Sequence, residues 1–197
     1  MIKTILFDVD GVLIGRSFSR DLARDYSLTI DTSAPLFRST FRACLVGKAD
    51  LKQELGHYLP QWGWKRSVDE FLSDWFRCED QVDKSLISRI QQFRQRGIPC
   101  YLATNQEKYR TEYILNHLRF AEQFDGTFSS AYVGYVKHES AFFEYVLRVL
   151  KDVKAEEILF WDDTVENVVM ARQVGLYAEV YTTLEDFEKK VEEYLNI

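Results

Sequence analysis

The chain has 197 residues, of which 46% are hydrophobic and 15% aromatic, which is enough for about one to one and a half domains with a buried core. Its formal net charge is −6, so no basic field exists to attract a polyanion, and we do not expect nucleic acid as a partner. No apolar run approaches the ~20 residues of a membrane span, and the three scattered cysteines form no disulfide or metal-ligand pattern, so we expect a cytoplasmic protein with no membrane partner.

The chain begins with a strand signal and then becomes helical. Residues 5–7 are a short apolar run that ends at Asp8-Val9-Asp10-Gly11, which is typical of a buried strand followed by a turn. In the next segment, Phe37, Phe41 and Leu45 repeat at i, i+4 and i+8, and an amphipathic stripe covers 68–76. The breakers there are Gly56, Pro60 and Gly63. We predict a small all-helical unit over residues 16–83, inserted into another domain.

The rest of the chain alternates between helices and strands. The predicted order is a helix marked by Leu86, Ile90 and Phe93, a strand over 100–103, a helix marked by Tyr109, Tyr113 and His117, a helix marked by Phe142, Val146 and Leu150, a strand over 158–161, a helix over 165–172, a strand over 177–180 and a helix over 184–195. Such alternation with short links indicates an α/β fold with a parallel, Rossmann-like sheet. We expect residues 1–15 and 84–197 to form this domain.

Polar side chains follow three of the predicted strands. These are Asp8 and Asp10, then Thr104 and Asn105, then Asp162 and Asp163. The carboxyl ends of parallel strands share one edge of a sheet, so these residues should meet there. Several carboxylates in one place require a cation, and Mg²⁺ suits carboxylates and a substrate phosphate.

Each of these residues also has a purely structural interpretation. An Asp after a strand is often a turn or N-cap residue, and Asp163 with Thr164 could simply cap the helix that follows. A lone lysine such as Lys137 is usually a solvated charge. The joint order of the residues is what favours a reactive site.

In that order, the residues resemble the motifs of the haloacid dehalogenase-like (HAD) phosphohydrolases. The segment from Phe7 to Leu13 matches the first motif, Ala103-Thr104-Asn105 the second, Lys137 the third, and the segment from Trp161 to Val168 the fourth. The helical insertion resembles the small α-helical (C1-type) cap of one subfamily, and the region around Gly47 is similar to the glucose-1-phosphate phosphatase branch.

The resemblance implies a role for each site residue. Asp8 would be the nucleophile and Asp10 the general acid/base, with Thr104 and Lys137 completing the catalytic set. The substrate phosphate would be bound by Val9, Thr104, Asn105 and Lys137, and Mg²⁺ by Asp8, Asp10 and Asp163. Asp162 would stand behind these ligands, holding Asp163 or Lys137, and Asn167 would brace the same loop. The implied activity is Mg²⁺-dependent hydrolysis of small phosphorylated metabolites, including sugar phosphates, through an aspartyl-phosphate in a monomer or homodimer.

Some features leave alternatives open. His138 follows Lys137 where the family usually has Pro, which predicts a less rigid lysine loop. In the helical unit, Arg16, Arg20 and Arg24 favour a solvated face over a pocket, and His57, Tyr58, Trp62 and Trp64 favour core packing over contact with a sugar. A mutase of the same superfamily and a non-hydrolytic phospho-receiver or binding protein remain the alternative functions. The complete Asp-x-Asp argues against the dehalogenase branch.

Overall fold

A five-stranded sheet forms the centre of the protein. The structure is a computed structural model that describes residues 1–15 and 30–195. All strand pairs are parallel and the order is β3-β2-β1-β4-β5. The strands are β1 (Thr4–Phe7), β2 (Cys100–Thr104), β3 (Gly126–Ser129), β4 (Ile158–Asp162) and β5 (Tyr177–Val180). The predicted α/β class with a parallel sheet is confirmed.

Helices precede, connect and follow these strands. They are α1 (Ile30–Arg38), α2 (Phe41–Leu45), α3 (Leu51–Tyr58), α4 (Val68–Cys78), α5 (Lys84–Gln95), α6 (Lys108–Asn116), α7 (Phe120–Gln123), α8 (Ser130–Val133), α9 (Ser140–Val149), α10 (Val165–Gln173) and α11 (Leu184–Leu195), with a short 3-10 helix at Ala155–Glu157. None of the helices in the described part of the chain is long and apolar enough to cross a membrane.

The two faces of the sheet have separate cores, because side chains alternate along each strand. On β1, Ile5 and Phe7 belong to one buried cluster, which includes apolar residues of α5, α7 and α11. Leu6, which points the other way, belongs to a second cluster with residues of α9 and α10. Both faces of the sheet are therefore covered, as expected for parallel strands.

Helices make up most of the described part of the helical unit. Ser67 and Glu70 form a capping box at the start of α4, and Asp50 caps α3 with bonds from two backbone N–H groups. Apolar residues of α1 to α4 form a third cluster that includes Leu55, Phe71 and Trp75. The predicted start of the unit at residue 16, with Arg16, Arg20 and Arg24, lies outside the described residues.

Two local predictions were wrong and one strand was missed. Phe37 and Phe41 lie on different helices, because the chain turns at Ser39–Thr40, although their rings pack 4.9 Å apart. Gly56 lies inside α3, where firm capping and the burial of Leu51 and Leu55 outweigh a single glycine. Strand β3 was missed because only Phe128 in Gly126–Ser129 is strongly apolar.

Candidate active site

The carboxyl ends of β1, β2 and β4 bring the predicted polar residues together. Asp8 directly follows β1, and its backbone N–H donates to the Trp161 carbonyl of β4, 2.9 Å away. Thr104 and Asp162 are the last residues of β2 and β4. Residues more than 150 positions apart in the sequence therefore share one edge of the sheet.

Lys137 lies at the centre of this edge and is almost completely buried, with 1% of its surface exposed. Its ammonium group forms ion pairs with the carboxylates of Asp8 and, at 2.7 Å, Asp162. Burial alone would lower the pKa of Lys137, but the two carboxylates raise it above its usual value, so the side chain stays charged. Lys137 thus places a fixed positive charge against Asp8.

The side chain of Asp162 is fully buried and held from two sides. Asn167, in the first turn of α10, donates through Nδ2 to both of its oxygens at 3.1 and 3.0 Å. The backbone N–H of Thr164 donates to Oδ1 at 2.8 Å. Asp162 therefore has hydrogen-bond partners at the start of α10 and an ion-pair partner in Lys137. Asn167 braces this loop by binding the Asp162 carboxylate directly.

The cluster suited to a cation consists of Asp8, Asp162 and Asp163, which each offer an oxygen within 4.8 Å of the others. Burial, opposed by Lys137, raises the pKa of Asp8 to about 7. Because a single ammonium group leaves these carboxylates with excess negative charge, a divalent cation would relieve the crowding. An oxygen-only donor set is what Mg²⁺ prefers. The chemistry of these residues therefore fits the expected metal.

Asp10 is not one of the three residues of this cluster, and its expected role at the metal stays a prediction. Its Oδ2 accepts a hydrogen bond of 2.5 Å from Nε2 of Gln106. The turn that carries Asp10 is fixed by the Val9 carbonyl, which accepts backbone bonds from residues 12, 13 and 14, and by Gly11, whose φ of 86° suits a residue without a side chain. The turn thus fixes the backbone of Asp10, and Gln106 holds one oxygen of its carboxylate.

Thr104 ends β2 and Asn105 follows it, and the two side chains differ in their hydrogen bonding. The Thr104 hydroxyl is buried and has no partner among the described residues. A buried hydroxyl without a partner is costly, so its oxygen is available for a ligand. Asn105 uses Oδ1 to accept the backbone N–H of Lys137 at 2.9 Å, which ties β2 to the lysine loop.

The helical unit reaches the lysine loop through Arg42 of α2. Arg42 donates to Oε1 of Glu139 at 2.7 Å and lies 3.4 Å from Nε2 of His138. The other oxygen of Glu139 accepts the backbone N–H of Val136 at 3.0 Å. The loop that carries His138 is therefore held by two side chains, those of Arg42 and Glu139.

A cavity of about 170 Å³ lies between the helical unit and Asp10. We call it the aromatic cavity, because Phe37, Phe41 and Trp75 line its helical side. Glu79 and Arg110 line it as well. Burial, opposed by the Arg110 charge, raises the pKa of Glu79 to about 7.

The aromatic residues near residue 60 have a packing role. Trp62 and Trp64 lie 5.9 and 5.2 Å from the Phe71 ring, and Tyr58 lies 5.8 Å from Trp62. These rings pack against the apolar cluster of the helical unit, and His57 is exposed on the surface. The core-packing interpretation fits this arrangement.

Sequence reasoning missed Gln106, Glu79 and Arg110. Gln106 directly follows Thr104-Asn105, so its position next to a predicted site residue was an available signal. Glu79 and Arg110 are separated by 31 residues and meet only through the packing of α4 against α6. No sequence pattern indicates that contact.

Comparison with known proteins gives a family and several relatives. A family model described as haloacid dehalogenase-like hydrolase matches residues 2–175. The chain is 32% identical over 94 residues to the sesquiterpene phosphatase astK of Aspergillus oryzae, which covers 48% of this chain and 47% of that protein. It is 27% identical over 112 residues to the drimenol cyclase drtB of Aspergillus calidoustus, which covers 57% of this chain and 21% of that protein. The chain thus spans less than half the length of these curated relatives.

The fold also resembles solved structures. A HAD family enzyme, bt-2542 from Bacteroides thetaiotaomicron, in complex with magnesium and inorganic phosphate, matches with a TM-score of 0.82 at 18% identity, covering 96% of this chain and 99% of that one. A predicted HAD-like family hydrolase from Porphyromonas gingivalis matches with a TM-score of 0.80 at 18% identity, covering 100% of this chain and 99% of that one.

Proposed function

The chain belongs to the haloacid dehalogenase-like hydrolase family, and we propose that it is a Mg²⁺-dependent phosphatase of small phosphorylated metabolites. The observation that carries the proposal is the setting of Asp8. Its carboxylate lies against the Lys137 ammonium group and within the three-carboxylate cluster. The Thr104 hydroxyl, which has no partner among the described residues, lies at the same sheet edge. This combination suits a nucleophile that must approach a negatively charged phosphate.

In the first step, an oxygen of Asp8 attacks phosphorus, and the bond between phosphorus and the leaving oxygen breaks. The leaving oxygen takes the electron pair of that bond and a proton from Asp10. The product of this step is an aspartyl-phosphate on Asp8. Lys137 and the Thr104 hydroxyl bind the phosphoryl oxygens, together with backbone N–H groups at Val9 and Asn105.

In the second step, a water oxygen attacks the phosphorus of the aspartyl-phosphate. Asp10 takes the water proton, the bond between phosphorus and Asp8 breaks, and the carboxylate of Asp8 is restored. Asp8 and Asp163 would hold Mg²⁺, with Asp162 beside them, and the bound cation supplies positive charge against the phosphoryl oxygens. Asn167 and Lys137 keep Asp162 in place.

We propose that the helical unit, over 16–83, acts as a cap that decides which substrates reach Asp8. Three side chains of this unit line the same small cavity as Asp10, namely Phe37, Phe41 and Trp75. The curated relatives are named for sesquiterpene and drimenol chemistry, which adds terpenoid phosphates to the sugar phosphates expected from the sequence.

The experiment is a panel of phosphate esters with p-nitrophenyl phosphate as the general substrate. We expect phosphate release with Mg²⁺ that a chelator abolishes and fresh Mg²⁺ restores. Asp8→Asn keeps the shape of the side chain and removes the nucleophile, so release should fall by at least about 1,000-fold while the protein stays folded. Phosphorylation of Asp8 without release would point to a receiver, and transfer to a second sugar hydroxyl would point to a mutase.

A further inference from the structure

The aromatic cavity places an apolar surface opposite the group that protonates the leaving oxygen. Phe37 lies 4.9 Å from Phe41 and 6.1 Å from Trp75, measured between ring centroids. Phe41 and Trp75 are 6.3 Å apart, so the three rings form one continuous wall. Asp10 lines the same cavity. Whatever is bonded to the leaving oxygen therefore faces these rings.

The charged groups at the cavity already have partners. Glu107 accepts backbone bonds from Tyr109 at 2.8 Å and Arg110 at 2.5 Å. Arg110 donates to the carbonyls of Phe76 and Glu79 at 3.0 and 3.3 Å, and its guanidinium pairs with Oε2 of Glu79 at 3.3 Å. Glu79, Glu107 and Arg110 thus each have a hydrogen-bond or ion-pair partner within the protein.

Other polar groups of the described cavity lining are also paired with each other. Oε1 of Glu79 accepts from Nε1 of Trp75 at 3.2 Å, and the Gln106 amide donates to Asp10. Nε of Arg110 is a buried donor with no partner among the described residues. A sugar brings several hydroxyls, each of which both donates and accepts, and groups already paired within the protein are poorer partners for them.

Resting on the proposed phosphatase function, we infer that the substrate is a phosphate monoester of an apolar alcohol, whose carbon skeleton packs against Phe37, Phe41 and Trp75. The volume of about 170 Å³ is sufficient for a six-membered carbon ring, since a cavity of about 150 Å³ lined by apolar side chains holds benzene. The site selects against polyhydroxylated leaving groups such as sugars.

The test compares two esters of nearly equal shape. Cyclohexylmethyl phosphate and glucose 6-phosphate are both primary alkyl phosphates on a six-membered ring, but the sugar carries four hydroxyls and a ring oxygen. We expect kcat/KM to be at least about 100-fold higher for cyclohexylmethyl phosphate, because buried hydroxyls without partners are rejected. The leaving oxygens have similar basicity, so the difference reports binding of the ring.

A variant ties the preference to the cavity. In Phe41→Ala, we expect the ratio of kcat/KM for cyclohexylmethyl phosphate to that for methyl phosphate to fall about tenfold, because methyl phosphate is too short to touch the ring. Tyr177→Leu removes an aromatic ring on β5, away from the cavity, and should keep the wild-type ratio. The ratio is taken within one variant, so a partial loss of folded protein cancels.

The outcomes separate the two proposals. If p-nitrophenyl phosphate is hydrolysed but glucose 6-phosphate is used as well as or better than cyclohexylmethyl phosphate, the apolar-substrate inference is wrong and the phosphatase remains. An unchanged ratio in Phe41→Ala also overturns the inference. If neither p-nitrophenyl phosphate nor any alkyl ester releases phosphate with Mg²⁺, the proposed function itself fails.

Discussion

Gln106 donates a hydrogen bond from its amide Nε2 to Oδ2 of Asp10, at 2.5 Å. The backbone carbonyl of Gln106 accepts from the hydroxyls of Ser129 and Ser130 at 3.1 and 3.2 Å and from the N–H of Ala131 at 3.3 Å. Gln106 is thus anchored at its backbone and directs its side chain at the proposed acid/base. The bond fixes the direction of one carboxyl oxygen and leaves the other for proton transfer.

We therefore expect Gln106→Leu to slow the hydrolysis of methyl phosphate about 10- to 100-fold, and to slow the release of p-nitrophenolate in the first turnover much less. The reason is that an alkoxide needs a well-placed acid, whereas a phenolate leaves without one. The measurement is kcat/KM for the alkyl ester and the pre-steady-state burst for the aryl ester. Equal losses in both would mean that Gln106 does not act through Asp10.

Removal of the acid/base itself should trap the intermediate. With p-nitrophenyl phosphate, Asp10→Ala should release about one phenolate per site and then stall, because water attack still needs a base. Mass spectrometry should find ~80 Da of added mass on Asp8. With an alkyl phosphate the same variant should give neither the burst nor the adduct. If both esters are slowed alike with no adduct, Asp10 is not the general acid/base.

The loop after α2 approaches the core so closely that only glycine fits at residue 47. A Cβ at Gly47 would lie 2.4 Å from the Ala131 carbonyl oxygen, and φ is +69°. Gly47→Ala should lower the free energy of unfolding by about 2–4 kcal/mol through the combined clash and left-handed strain.

Gly63 provides the matched control. Its φ is +75°, but an added Cβ would meet no atom within 4 Å. Gly63→Ala should therefore cost only about 1–2 kcal/mol, from the backbone conformation alone. Urea unfolding of both variants gives the difference. Equal losses would show that the approach to Ala131 is not rigid.

Glu79 makes the stability of the metal-free protein depend on pH. Burial raises the pKa of Glu79 to about 7 from an ordinary 4.5, so the folded protein holds more protons than the unfolded chain between these values. Stability from this group is therefore lost as the pH rises from about 4.5 to about 7. Burial also raises the pKa values of Asp8 and Glu107 to about 7, so they add to the same trend.

Glu79→Gln replaces the carboxyl by a neutral group of equal size, and should remove the contribution of Glu79 to the loss of stability at rising pH. Relative to the wild type, the variant should gain about 1–3 kcal/mol in the free energy of unfolding between pH 5 and pH 8, measured by urea unfolding with a chelator. Wild-type and variant profiles that run parallel over this range would show that Glu79 does not titrate there.

The sequence predicted the reactive edge well because it depends on residues that follow short apolar runs. Asp8, Thr104 and Asp162 end or follow their strands, and a parallel sheet must then bring them together. Strand β3 was missed, because this edge strand is buried largely through contacts with other elements. Phe128 packs 5.8 Å from the Tyr101 ring, a contact that pairing with β2 creates.

The residues around Asp10 show the same limit. Gln106 is an ordinary polar residue in the sequence, and its importance follows from the turn after β1 facing the end of β2. In the sequence, Arg110 looks like an ordinary exposed residue of an amphipathic helix, but in the structure it is buried. The end of α4 leaves the carbonyls of Phe76 and Glu79 without helical partners, and Arg110 donates to both. Tertiary placement, which local pattern does not encode, decides both cases.

Two backbone hydrogen bonds join the segment that leaves the sheet after β1 to the segment that leads into α5. Gly15 donates its N–H to the Gln81 carbonyl at 3.2 Å, and Asp83 donates to that of Leu13 at 2.9 Å. Because Gly15 and Asp83 are each tied to the opposite segment of the chain at this junction, we expect it to accept an insertion of different length or sequence with little effect on β1 and α5. If the segment between these two bonds is the proposed cap, a chimera made at this junction should keep the phosphate chemistry of one parent and take the substrate range of the other.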